Sequence, residues 1–210
     1  MKDGVVNFTE EGLQVNGIDE TNTLFVVGKL NKSVFKEYKS LGKVAVANFS
    51  LLRNVTNRYT EEVEVVVKDN VLCFTTKGRE FEVVLPDVET VNQSKNEPTL
   101  EYTNVLKLSS NFLKEAVKNA DTLEKGLSVT LFSEGNKVVA ECGNDDKGRE
   151  IVEVEKVNEP FNVKFGEPLR KVVSVMDGEV EVSLKTDYPA TLKYSDTEME
   201  LKFIVASMEK

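Results

Sequence analysis

The chain has 210 residues, 40% of them hydrophobic and 30% charged, with 27 Lys and Arg against 36 Asp and Glu, a formal net charge of -9, and neither His nor Trp. That length can bury one large core or two modest ones, while the lack of His removes every Ser/His and Cys/His nucleophile pair and no P-loop or GxGxxG occurs. An acidic balance excludes a protein that coats nucleic acid with its whole surface, because phosphate binding relies on clustered Lys and Arg, so any nucleic-acid contact is confined to one face.

In chain order, residues 3–30 read DGVVNFTEEGLQVNGIDETNTLFVVGKL, three alternating strands with no helix in front of them. At Asn48 the pattern changes to helical spacing, with Phe49, Leu52, Val55 and Tyr59 on one stripe. Alternation then returns: Val63, Val65 and Val67 oppose Glu62, Glu64 and Val66, and Phe81, Val83 and Leu85 oppose Glu80, Glu82 and Val84, with turns at Lys68-Asp69-Asn70 and Lys77-Gly78-Arg79. Residues 88–101, VETVNQSKNEPTLE, lose the alternation and read as a linker, which predicts an N-terminal domain over 1–87 and a C-terminal one over 102–210. Beyond it the same unit occurs twice more. One copy opens with NF at Asn111 and has a helical stripe of Leu113, Ala116, Val117 and Ala120, and the other follows Gly166 with Leu169, Val172, Val173 and Met176. The tetrapeptide KGRE precedes the last strand of both the first and the second full copy. A helix with three strands cannot bury its own apolar face, so the copies must stack, and the expected class is α+β with helices on one side of hairpin-built sheets.

Little in this pattern reads as reaction chemistry. The acidic clusters Glu61-Glu62, Asp145-Asp146 and Glu179-Glu181 fall at turns and strand entrances, where solvated carboxylates are commonplace. Cys73 and Cys142 sit in mid-strand at comparable places in two repeats, too far apart for a zinc or redox motif, and read as small buried hydrophobes. The expectation is no catalytic residue, no metal and no cofactor. No apolar run approaches the ~20 residues needed to span a bilayer and MKDGVVNFTEEG has no signal-peptide core, so a soluble intracellular protein without a membrane partner is expected.

The repeats, the long joining loop, GLQVNGIDETNTLFVVGKL near the start, LPDVE before the loop, LEYTNVLKLSSNFLKEAVKNA after it and YPATLKYSDTEMELKFIVAS at the end together resemble a DNA sliding clamp. The resemblance is to the proliferating cell nuclear antigen family, its archaeal or archaeal-virus members most of all, and it covers essentially the whole chain. It implies a two-domain clamp fold assembled as a ring, usually a homotrimer, with helices inside and sheets outside. Such a ring encircles double-stranded DNA without reading sequence, is loaded by a clamp loader, and tethers DNA polymerase and other replication or repair proteins as a processivity factor. The implied location is cytoplasmic and nucleoid-associated, or nuclear in a eukaryote. A second reading is a clamp-like interaction protein, a paralogue or viral factor, that does not encircle DNA.

The resemblance also distributes roles. Lys114 and Lys118, four apart and opposite the apolar stripe, line the channel together with Arg53, Arg58, Arg170 and Lys171; the plainer reading is a solvated face on which Glu115 pairs with Lys118. Clamp partners insert a short helical turn into a pocket that matches Ile18, Thr23, Phe25, Pro189, Ile204, Val205, Ala206 and Ser207. Here the loop carries Lys95, Asn96 and Glu97 where the family often has leucine or isoleucine, and Ser207 replaces its usual proline. Subunits join through edge strands matching residues 77–85 and 147–155, with Lys77, Arg79, Phe81 and Val83 on one and Lys147, Arg149, Ile151 and Glu153 on the other, and with Glu150, Glu153 and Glu155 pointing outward. The family's first strand and first helix have no counterpart before Gly4, which implies a late start or a reduced clamp with apolar surface exposed in its first domain.

Overall fold

The computed structural model describes residues 2–91 and 96–208. Linker residues 92–95, among them the loop departure Lys95, and residues 209–210 lie outside the described residues. The chain forms two compact units, Met1–Glu20 with Val27–Asn96, and Thr21–Val26 with Glu97–Lys210.

In the first unit come β1 (Gly4–Thr9), β2 (Gly12–Ile18), the greater part of β3 (Leu24–Asn31), β4 (Gly42–Val46), α1 (Phe49–Thr56), β5 (Glu64–Lys68), β6 (Val71–Thr76) and β7 (Arg79–Val84). They build two antiparallel sheets, ordered β4-β1-β2-β3 and β5-β6-β7. The expected turn between β5 and β6 holds Asp69 and Asn70 at positive φ, the conformation a two-residue hairpin requires. Asn48 starts α1 by accepting the Leu51 N–H on its side chain. The core gathers Val44, Val55, Leu72, Phe74, Val83 and Leu85, with Leu52, Tyr59, Val63 and Val67 packed against it, and the Tyr59 hydroxyl donates to the Phe74 carbonyl at 3.1 Å.

The second unit contains β8 (Asn104–Ser109), α2 (Ser110–Leu123), β9 (Val129–Glu134), β10 (Lys137–Cys142), β11 (Gly148–Glu153), β12 (Asn162–Phe165), α3 (Glu167–Val173), β13 (Glu179–Leu184), β14 (Ala190–Ser195) and β15 (Met199–Val205). One sheet is ordered β11-β10-β9-β12, and the other runs β15-β14-β13-β8. The first residues of β3 flank β15 in this unit, where the Ala206 N–H donates to the Thr23 carbonyl at 2.9 Å. Gly143, at φ 86, makes the turn toward β11, and a Cβ there would collide with the Asp146 carbonyl. Phe112, Leu113, Ala116 and Ala120 of α2 and Leu169, Val172 and Val173 of α3 bury one continuous stripe with the strands, each large aliphatic worth about 1.5–3 kcal/mol in area removed from water. Cys73 and Cys142 are free and buried, and burial pushes the Cys142 thiol up.

The structural repeat is longer than the sequence pattern suggests, because each helix is also preceded by a strand: β4, β8 and β12. In the second unit β8 pairs along the whole of β13, with Leu106 opposite Val182 and Leu108 opposite Val180, and α2 packs on α3. The first unit has no counterpart of β8 and α2 among the described residues, so β5 is an edge strand. The consequence is local. Val65 is 41% exposed where its repeat counterpart Val182 is 1% exposed, and Leu52 of α1 is half-buried where Leu169 of α3 is 2% exposed.

Candidate functional site

The helix cations occupy three different environments. Lys114 and Lys118 share one face of α2, as their spacing requires. The Lys114 Nζ lies 3.6 Å from Asp177 Oδ1, and the Lys118 Nζ lies 3.4 Å from Glu115 Oε2, the pairing the plainer reading anticipates. Arg170 departs from the role implied for it. Its Nε donates to Asp121 Oδ1 at 3.0 Å, its Nη2 donates to the Leu127 carbonyl, and its side chain is only 11% exposed, so it fastens α3 to α2 instead of presenting charge to solvent. Burial pushes the Asp121 carboxyl up, but the hydrogen bonds from Arg170 and from the Gly126 N–H outweigh this and hold it below its usual range. Lys171 and Arg53 are exposed. Arg58 lies past the end of α1, with its guanidinium 5.9 Å from the Phe81 ring centroid and its carbonyl accepting from Arg79 Nη1 at 3.2 Å, so it belongs to the surroundings of β7 and not to the helix face.

Both edge strands are open where pairing would need them to be. β7 is outermost in β5-β6-β7 and β11 is outermost in β11-β10-β9-β12. Lys77, Arg79, Phe81, Lys147, Arg149, Ile151 and Glu153 are exposed. Val83 is not: it faces the core of the first unit, because alternation along β7 turns it inward. Val84, its neighbour on the opposite face, is the most exposed large hydrophobic of the described residues and joins the open edge, although the resemblance assigns it no interface role. The same alternation corrects Glu150. It points to the helix side and accepts from Asn119 Nδ2 of α2 at 2.8 Å, whereas Arg149, Ile151 and Glu153 share the other face. On that face Arg149 reaches Glu134 at 2.7 Å and Glu141 at 3.4 Å, Lys147 reaches Glu141 at 3.3 Å, and Lys137 meets Glu153 at 3.7 Å.

Of the eight residues implied for partner docking, Ile18 ends β2 in the first unit. The other seven belong to the second, where Thr23 meets Ala206, Ile204 lies opposite Thr191, and Val205 lies opposite Ala190, beside Pro189. Phe25, Ile204 and Val205 are buried, whereas Ile18, Thr23, Pro189, Ala206 and Ser207 are half-buried, so in the second unit the accessible surface is carried by Thr23, Pro189, Ala206 and Ser207. Sequence reasoning missed the partner of Glu97, which forms an ion pair with Lys202 of β15; opposite charges 105 positions apart leave no local signal. No group of three or more His, Cys, Asp or Glu among the described residues could hold a metal, and no described helix is long and apolar enough to cross a membrane.

Comparison with known proteins bears on the whole of this arrangement. No protein-family profile matches the chain. Its relatives include the DNA polymerase sliding clamp of Methanoregula boonei, 22% identical over 198 residues covering 88% of this chain and 80% of the relative. The DNA polymerase sliding clamp of Nanoarchaeum equitans is 23% identical over 219 residues, covering 94% and 87%. Among solved structures, the PCNA of A. fulgidus bound to the C-terminal region of FEN-1 superposes with a TM-score of 0.86 at 19% identity, covering 100% of this chain and 91% of that one. The fold is therefore that of a DNA sliding clamp, end to end. Sequence and fold agree: over most of its length the chain is similar to archaeal DNA polymerase sliding clamps, and its fold is that of a PCNA chain.

Proposed function

We propose that the protein is a sliding clamp: a ring of identical subunits, three in number, that encircles duplex DNA without regard to sequence and tethers DNA polymerase and other clamp-binding proteins to it. The observation that carries this reading is the extent of the likeness, which spans the entire chain and runs at 80% or more of the length of the sliding clamps it matches. The local geometry supports it. Two open edge strands carry exposed Phe81, Val84 and Ile151, apolar groups that strand pairing between subunits would cover. Lysines on α2 offer weak phosphate contacts in an otherwise acidic chain. The role is mechanical, that of a scaffold without chemistry of its own, with a clamp loader to open the ring. The A. fulgidus protein is bound to the C-terminal region of FEN-1, and the partner surface we assign here is Pro189, Ala206 and Ser207 beside Thr23, whose carbonyl accepts from the Ala206 N–H.

Two measurements test the reading. Light scattering is expected to give a closed trimer, and the protein is expected to persist on duplex DNA whose ends are blocked while running off DNA with free ends. A monomer throughout the micromolar range, with retention indifferent to the ends, would overturn the ring and leave the non-encircling reading in its place.

A further inference from the structure

Resting on the clamp reading, we propose that Glu115 and Asp177 are internal competitors for DNA phosphate, holding Lys118 and Lys114 in ion pairs that a phosphate must displace, so that the helix face grips duplex loosely enough to slide. Positions 114, 118 and 121 of α2 follow one another at helical spacing and form one stripe. Along it the structure distinguishes a locked pair from loose ones. Arg170 and Asp121 meet at 3.0 Å with a second bond to the Leu127 carbonyl, and the guanidinium is nearly covered. The lysine pairs stand at 3.6 and 3.4 Å, beyond the 2.7–2.9 Å of a tight charge-assisted bond, and both ammonium groups keep access to solvent. Asp177 comes from outside the helix, just past the buried Met176, so its placement beside Lys114 is a tertiary contact and not a helix-propensity pair. A phosphate arriving at either lysine exchanges one anion for another. The freed carboxylate regains cations from solution, which cancels part of the ~0.9 counterion released by each phosphate contact on duplex. The two acids thereby lower both the affinity and its salt dependence.

The acids act through the lysines, and the test must read that route. Binding of the full-length protein to a short labelled duplex is followed by anisotropy over a salt series, alongside its lifetime on end-blocked DNA. With exposed ion pairs each holding by a factor of about two to five, Glu115→Gln with Asp177→Asn is expected to tighten binding by roughly tenfold and to steepen the salt slope by up to about two. Removing Lys114 and Lys118 as Ala in the same background is expected to abolish the gain. A control that changes the net charge equally at exposed positions elsewhere, Glu101→Gln with Glu198→Gln, is expected to produce little of it. The proposal fails if the carboxamide pair matches the control in affinity and slope, or if its gain survives the loss of both lysines. A wild-type protein that binds no duplex and shows no end-dependent retention would instead remove the DNA-encircling reading, and this inference with it.

Discussion

Replacing Arg170 with Met tests whether that cation is a fastener or a DNA contact. The side chain is almost covered and makes two bonds, one to the Asp121 carboxylate and one to the Leu127 carbonyl. A hydrogen bond to a charged group is worth about 1.5–3 kcal/mol, and the lower end applies because Asp121 is partly solvated; leaving the Leu127 carbonyl without its donor adds about 1 kcal/mol. Met keeps the apolar stem, so packing is largely retained. The expected loss is roughly 2–3 kcal/mol, or on the order of 5–10 °C in the melting of the second unit. Because two compact units need not unfold together, hydrogen exchange of the α2 and α3 amides should accompany urea denaturation. Lys171→Met, next door and exposed, is the control and should change stability by less than about 0.5 kcal/mol. The acid limb gives an independent reading. The Asp121 carboxyl titrates below its unfolded value, so its contribution is complete above the ordinary carboxylate pKa of about 3.9 and is lost as pH falls through the folded value; Arg170→Met should flatten that loss. Since the guanidinium is spent inside the unit, the variant should leave the salt slope of duplex binding unchanged. An Arg170→Met protein no less stable than Lys171→Met, or one with a shallower salt slope, would refute the reasoning.

Charging both open edges, Val84→Glu with Ile151→Glu, should lower the molar mass seen by light scattering to that of one subunit without altering the far-ultraviolet dichroism; an unchanged mass would place the assembly elsewhere. Val182→Ala should cost about 1–2.5 kcal/mol, since the side chain is fully enclosed on a strand flanked by β8, while Val65→Ala should cost well under 1 kcal/mol at the open counterpart on β5, and equal losses by urea titration would mean that β5 is covered in solution. Phe25→Ala and Ile204→Ala remove buried side chains and should each destabilise by roughly 2–5 kcal/mol, so loss of a clamp-binding peptide in calorimetry is informative only where the variant remains folded. Pro189→Ala, half-buried, should weaken the peptide with little change in stability, and undiminished binding would exclude Pro189 from the docking surface.

How much of this was written in the chain divides along a physical line. Local periodicity carried the α+β class: the stripe of Leu113, Ala116 and Ala120 and the alternation through Val63, Val65 and Val67 are nearest-neighbour patterns, and they produced α2 and β5. Repetition of those patterns, with NF and KGRE at matching places, carried the modular plan and with it the clamp resemblance. What no local pattern can specify is which residue meets which across the fold. Arg170 and Lys171 are indistinguishable as sequence, yet one is enclosed against Asp121 and the other faces water, because a helix of seven residues packed on α2 has one side in and one side out. Val83 and Val84, and Glu150 beside Arg149, are separated in the same way by the pleat, whose phase is set only when β7 and β11 take their places at the edges of their sheets. The assignment of Thr21–Val26 to the second unit, the ion pair of Glu97 with Lys202, and the partial burial of Leu52 where Leu169 is enclosed are likewise products of tertiary contact. Sequence determined the elements and their repetition; the packing of those elements decided which charges are spent inside the fold and which are left in solvent.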